Sequence, residues 1–116
     1  MKKLNIGLIG CGFMGRTHSN ASRKVNNFFD LEYQPVLKAV CDLDKKRLQH
    51  VKGLYPDIET TTSCRALLDN PDVHAVAVAT PVRLHHEIGM AALAAGKHVF
   101  IEKPMASSAA QCRELV

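Results

Sequence analysis

The chain has 116 residues, 47% of them hydrophobic and 22% charged, a formal net charge of +4 and no Trp. That length fits one domain with a real core. The charged fraction excludes wholesale disorder, and no apolar run approaches the roughly 18 residues a membrane span requires. The basic residues are scattered without an aromatic ladder, which argues against nucleic-acid binding.

Residues 4–9 form a strand candidate, followed at once by Gly10-Cys11-Gly12. The Met-Lys-Lys start imitates a signal peptide for two residues only. With Asn5 and glycines next and no small-residue cleavage site, it reads as strand and turn, in a soluble, cytoplasmic chain. A helix is expected over about 13–26, with Met14, Ala21, Val25 and Phe28 near one face, then a loop over 26–35 that ends in Pro35. A second strand is expected at 36–41, and Leu48, Val51 and Tyr55 mark an amphipathic helix that Pro56 stops.

A third strand is expected at 58–61 and a short helix at 63–68, ended by Asn70-Pro71. Residues 73–79 form an apolar run broken only by His74, which suits a buried parallel strand. Leu84, Ile88, Ala91, Ala92 and Ala95 trace a helix stripe with Gly96 as its stop. A fifth strand follows at 98–101, and Ser108 with Gln111 is spaced as a capping box for a last helix cut off at Val116. This alternation reads as an α/β fold, a doubly wound parallel (Rossmann) sheet. Six strands are usual when such a sheet binds a dinucleotide across both halves, so residues 1–116 are expected to be the front part of something longer, without its sixth strand, with a complete small five-stranded domain as the alternative.

Gly10-Cys11-Gly12-Phe13-Met14-Gly15 is G-x-G-x-x-G between a strand and a helix. Gly10 permits a tight turn, Gly12 lets the backbone approach a pyrophosphate, and Gly15 lets the helix pack close to the sheet. The helix then aims free N–H groups and its positive dipole end at the phosphates. The companion acid is Asp42, after the second strand, where a carboxylate binds the ribose hydroxyls and repels a 2′-phosphate. That favours NAD, with NADP left open because Lys45, Lys46 and Arg47 follow; Asp42 is alternatively the cap of the next helix.

Ala79-Thr80-Pro81 ends the fourth strand and Glu102-Lys103-Pro104 the fifth, both at the carboxyl edge where open α/β sheets bind ligands. A lysine there could stabilise an oxyanion formed during hydride transfer, or it is simply a solvated turn. Proline at 104 fixes the local backbone and can follow a cis bond. His18 reads as structural. Cys11, Cys41, Cys64 and Cys112 are too dispersed for a zinc ribbon or a disulfide framework and read as reduced, mainly buried thiols. His85-His86-Glu87 lacks the spacing of a metal site.

These residues together carry a resemblance. The glycine motif, Ala39-Val40-Cys41-Asp42, Ala79-Thr80-Pro81, and Ala95-Gly96-Lys97-His98-Val99 leading to Glu102-Lys103-Pro104 resemble the Gfo/Idh/MocA oxidoreductases, in the same order, over nearly the whole chain. The resemblance implies an NAD(P)-dependent dehydrogenase moving hydride between nicotinamide and a sugar, cyclitol or related polyol. It implies that Gly10, Gly12 and Gly15 hold the pyrophosphate with backbone contacts from Phe13 and Met14, and that Asp42 takes the ribose. Thr80 and Pro81 would line the cofactor groove, with His85 approaching it. Glu102 and Lys103 would lie beside the nicotinamide, Lys103 as the catalytic lysine. The family's general acid/base, its sugar pocket and its usual oligomer interface belong to a C-terminal domain with no counterpart in these residues. Two other readings stand beside this one: a non-catalytic dinucleotide sensor, and a structural module whose glycine loop is only a turn.

Overall fold

A computed structural model describes residues 2–116, apart from the side chain of Phe13. The elements are β1 (Lys2–Ile9), α1 (Phe13–Phe28), β2 (Tyr33–Cys41), α2 (Lys45–Leu54), β3 (Glu59–Thr61), α3 (Cys64–Leu68), β4 (Ala75–Val78), a 3-10 turn (Val82–Leu84), α4 (His85–Ala94), β5 (His98–Ile101) and α5 (Ala109–Leu115). The five strands form one parallel sheet in the order β3-β2-β1-β4-β5. The order reverses direction between β1 and β4, which is where doubly wound sheets open a crevice.

Successive strand residues point to opposite faces, and the core divides accordingly. Ile9, Cys41 and Val78 join Leu67, Leu68, Val73 and Ala92 in one buried cluster, on the face covered by α3 and α4. Leu8, Val40 and Ala77, one residue earlier in each strand, join Leu48, Val51 and Ile58 on the other face, under α2. Burial on both faces explains why residues 75–78 show no alternation in the sequence.

Three local expectations are corrected. The loop after α1 is not residues 26–35: the helix continues to Phe28 and β2 begins at Tyr33. Pro35 sits inside β2, opposite Leu4 of β1, and is tolerated because β3 pairs only with Ala39–Cys41, so that part of β2 has an open side. The register of β1 on β2 then skips Lys38, an extra residue in the strand. Second, α1 does not bury Met14, Ala21 and Phe28; Met14 and Phe28 are exposed. It docks instead through Gly15, Ser19 and Ser22, with the Ser19 hydroxyl donating to the Gly15 carbonyl at 2.9 Å. Between these small side chains and the sheet lies a hollow lined by Ile6, Leu8, Leu37 and Val76. Third, a 3-10 turn precedes α4, which starts at His85 rather than Leu84.

Several local signals are met as read. β5 has the expected bounds, Gly96 (φ +76°) follows α4, and the Ser108 hydroxyl accepts from the Gln111 N–H. The Gln111 side chain closes the reciprocal bond one residue early, on the N–H of Ser107. All four cysteines are free thiols, with Cys11 and Cys41 buried.

Lys97 anchors the turn before β4. Its ammonium donates to the carbonyls of Asn70 (2.8 Å) and Val73 (2.7 Å), tying the entry of β5 to the entry of β4. Replacing it with Met keeps the stem and leaves two half-buried carbonyls unpaired. Lys97→Met is expected to lower unfolding stability by about 1–3 kcal/mol, read as a shifted urea midpoint at unchanged slope.

Candidate functional site

The strand ends are level. Ile9 pairs with Cys41 and with Val78, and Val78 pairs with Ile101. The ladder then runs one step further. Gly10 N–H donates to Cys41 O (2.9 Å), Ala79 N–H to Ile9 O (2.8 Å) and Glu102 N–H to Val78 O (3.0 Å). Asp42 N–H likewise donates to Thr61 O (3.2 Å). The first residue beyond each of β1, β2, β4 and β5 is therefore fixed at one edge, and the residues singled out for chemistry lie at or after those points.

At this edge Ile9, Gly10, Gly12, Cys41, Asp42, Leu43, Arg47, Ala79, Thr80, Pro81 and Leu84 line one cavity. Gly10, Gly12, Asp42, Thr80 and Pro81 are thus brought together from three separate loops. Gly10 has φ +102°, and a Cβ there would lie 2.6 Å from the Ala79 carbonyl oxygen. At Gly15 a Cβ would lie 2.0 Å from the Gly10 carbonyl oxygen, so the start of α1 is pressed onto its own entry loop. Gly12 differs: a Cβ would meet only an Arg47 guanidinium nitrogen at 3.8 Å, which leaves open space over its backbone. Gly12 also caps α1 with no side chain, and the first turn holds no acid, so this helix end is open to an incoming anion.

Asp42 is locked in place. Its Oδ2 accepts from the Cys11 N–H and its Oδ1 from the Asp44 N–H, both at 2.8 Å, which ties the glycine loop to the end of β2. The alternative role as helix cap falls instead to Asp44, whose carboxylate accepts from the Lys46 N–H at 2.9 Å. Of the three basic residues that follow Asp42, only Arg47 lines the cavity, 3.9 Å from Asp42 and 3.8 Å from Asp44. Its place on α2 beside Asp42 was legible from helical spacing; that Leu43 and Leu84 form an apolar rim was not. Burial, reinforced by the Asp42 charge, pushes the Cys11 thiol up to about 12, so it stays protonated and unreactive.

The remaining site residues lie outside this cavity. Met14 is exposed in the first turn of α1. His85 is buried, with Nδ1 2.8 Å from the Pro104 carbonyl oxygen and Nε2 2.9 Å from that of Thr80. It does not approach the groove, because both ring nitrogens are already engaged behind the wall. Lys103 sits over a hollow formed by Leu93, Val99, Ile101, Met105 and Leu115, on the α4 and α5 side, and the Lys103–Pro104 peptide is cis. Glu102 turns the other way. Its Oε1 accepts from His18 Nε2 at 2.7 Å, and the His18 ring meets Phe100 edge-on at 5.2 Å. His18 thus fastens α1 to the residue beside Lys103, a contact across 84 positions.

A larger hollow of about 260 Å³, against about 160 Å³ at the glycine loop, lies at the amino end of β2 between Arg23 and Tyr55 and contains none of these residues. Among the described residues no cluster of His, Cys, Asp and Glu could hold a metal ion, and no helix is long and apolar enough to cross a membrane.

A cavity that opens over Gly12 at a helix start, with a fixed carboxylate at the end of the next strand, suits the phosphate and ribose of a dinucleotide. Comparison with known proteins agrees: residues 4–116 match the Gfo/Idh/MocA model, described as an oxidoreductase family with an NAD-binding Rossmann fold. The chain belongs to this family. It is 37% identical to a levoglucosan dehydrogenase of Pseudarthrobacter phenanthrenivorans over 99% of its own length and 30% of that protein's. An inositol 2-dehydrogenase of Acidothermus cellulolyticus is 36% identical, matched over 99% of this chain and 32% of that one. Among solved structures, a levoglucosan dehydrogenase in complex with NADH superposes with a TM-score of 0.92 at 36% identity, over 98% of this chain and 31% of the other. The chain therefore spans about a third of its relatives and corresponds to the family's NAD-binding Rossmann domain.

Two outcomes are expected. Gly15→Ala drives a methyl group into backbone that cannot move away, so the variant should show a strongly lowered melting temperature or no folded state by circular dichroism. The Glu102 carboxyl is held below the usual carboxylate range, chiefly by the His18 hydrogen bond, with the Lys103 N–H and the His18 and Lys103 charges adding to it against a partial desolvation. A carboxyl depressed in the folded state favours folding above its unfolded pKa, and that contribution is lost as pH falls through the folded value. His18→Gln should raise the Glu102 titration seen by carboxyl 13C NMR and flatten the loss of stability between neutral and acid pH.

Proposed function

We propose that the chain is the nucleotide-binding part of an NAD-dependent dehydrogenase acting on a CH–OH group of a sugar, cyclitol or related polyol. The observation that carries the nucleotide assignment is the Asp42 carboxylate pinned by the Cys11 N–H at 2.8 Å, on the wall of the cavity that opens over Gly12. Gly10, Gly12 and Gly15, with the backbone of Phe13 and Met14, hold the pyrophosphate at the α1 start. Asp42 accepts from the ribose hydroxyls with the lone pairs that its two backbone bonds leave free. Leu43 and Leu84 flank the adenine, and Thr80 and Pro81 form the far wall.

When bound, nicotinamide supplies the hydride acceptor or donor. Lys103, on the loop after β5, then donates a hydrogen bond to the substrate oxygen and stabilises its developing negative charge. Glu102, fixed by His18, keeps that loop in register with α1. The substrate class rests on the names of the relatives, levoglucosan and inositol dehydrogenases. Their greater length agrees with a substrate domain, a general acid/base and a homo-oligomer interface lying beyond residue 116 in the whole protein, which we place in the cytoplasm. Asp42 favours NAD over NADP by repelling a 2′-phosphate, and Arg47 beside it softens that preference without reversing it.

Calorimetric titration with NADH and with NADPH tests this. The folded chain is expected to bind NADH more tightly than NADPH, to lose on the order of tenfold in NADH affinity on Asp42→Asn, and to oxidise no polyol as 116 residues. A folded sample that binds neither nucleotide would overturn the assignment.

A further inference from the structure

We propose that His85 is a positioning residue: its ring, protonated on both nitrogens, clamps the loop after β4 to the loop after β5 and so sets the cavity wall relative to Lys103. The functional consequence rests on the nucleotide assignment above; the clamp itself does not.

The ring is 1% exposed and lies between two backbone oxygens, Thr80 O at 2.9 Å from Nε2 and Pro104 O at 2.8 Å from Nδ1. A carbonyl oxygen only accepts, and a neutral imidazole has a single N–H. Both contacts are hydrogen bonds only if both nitrogens donate, which makes the ring an imidazolium. With one proton, a ring lone pair would face a carbonyl lone pair below 3 Å, where burial leaves no room for water to intervene. The positive end of the α4 dipole and the burial of the ring both oppose a cation at the helix start, and the two charge-assisted bonds to carbonyls are what stands against them.

No carboxylate is needed to explain the charge, because those on the surrounding elements are engaged or exposed. On α4 itself, His86 pairs with Glu114 of α5 at 3.2 Å, and Glu87 is exposed. Beyond β5, Glu102 is taken by His18, and Lys103 is exposed, as is His98 at the start of that strand. On α3, Arg65 pairs with Asp69, and the Cys64 thiol is raised by burial. Arg83 of the 3-10 turn and Arg113 of α5 are exposed, and β4 carries no titratable group.

The two clamped carbonyls belong to functional loops. Thr80 lines the cavity, and Pro104 directly follows Lys103. Loss of one ring N–H donor releases one of the loops, so wall and lysine no longer hold a fixed separation and nucleotide affinity should fall.

The test uses the 116-residue chain labelled with 15N-histidine. In the wild type, two slowly exchanging His85 ring N–H signals are expected, with hydrogen-bond couplings to the Thr80 and Pro104 carbonyls. His85→Gln, a neutral side chain with one carbonyl-facing donor group, should bind NAD+ on the order of tenfold more weakly than the wild type. A single ring proton overturns the proposal, as does a His85→Gln variant that binds NAD+ as tightly as the wild type. Should the variant fail to fold, the wild-type ring signals decide alone. If the wild type binds no nucleotide, the nucleotide assignment fails, and the same signals still decide the clamp.

Discussion

The alignment of the strand ends is the constraint on which the site depends. Four parallel strands stop at one level because Ile9, Cys41, Val78 and Ile101 are mutual neighbours across the sheet. Backbone bonds one residue further carry that register into the loops. The cavity needs no long-range side-chain contact to bring Gly10, Asp42 and Thr80 together, because the ladder has already done so. Side chains then refine the edge: Asp42 closes the glycine loop against β2, and the absence of a Cβ at Gly15 lets α1 start directly on the loop it follows.

The edge divides into two parts with different chemistry. Around Gly12 and Asp42 lie open backbone, a helix start and a fixed carboxylate, the features that a phosphate and a ribose require. Around Glu102 and Lys103 lie a hydrogen bond to α1 and a lysine over an apolar hollow. His85 sits behind both, buried, and touches each through a carbonyl. A domain that binds a cofactor in one part and presents a lysine in the other is suited to hold two reactants in a fixed relation, provided that the loops do not move independently.

Much of this was legible in the sequence. G-x-G-x-x-G between an apolar run and a helix, an acid after the second strand, and residues 98–101 ending in Glu-Lys-Pro placed the strands and the edge correctly. What misled were local signals that tertiary context overrode. Pro35 looked like the end of a loop, yet a proline is harmless where β2 has no outer neighbour. The apolar residues of α1 looked like its buried face, but the helix turns Gly15, Ser19 and Ser22 toward the sheet and leaves Met14 and Phe28 exposed.

The sequence by itself determined the order of elements, the glycine loop and the identity of the fixed acid, because each is written in residues adjacent along the chain. Only the tertiary structure decided that Asp44, not Asp42, caps α2, that His18 meets Glu102 across 84 positions, and that His85 bridges two loops rather than facing the cavity. Those pairings depend on how strand ends and helices converge in space. A histidine's two nitrogens acquire their roles only from the atoms that packing sets beside them.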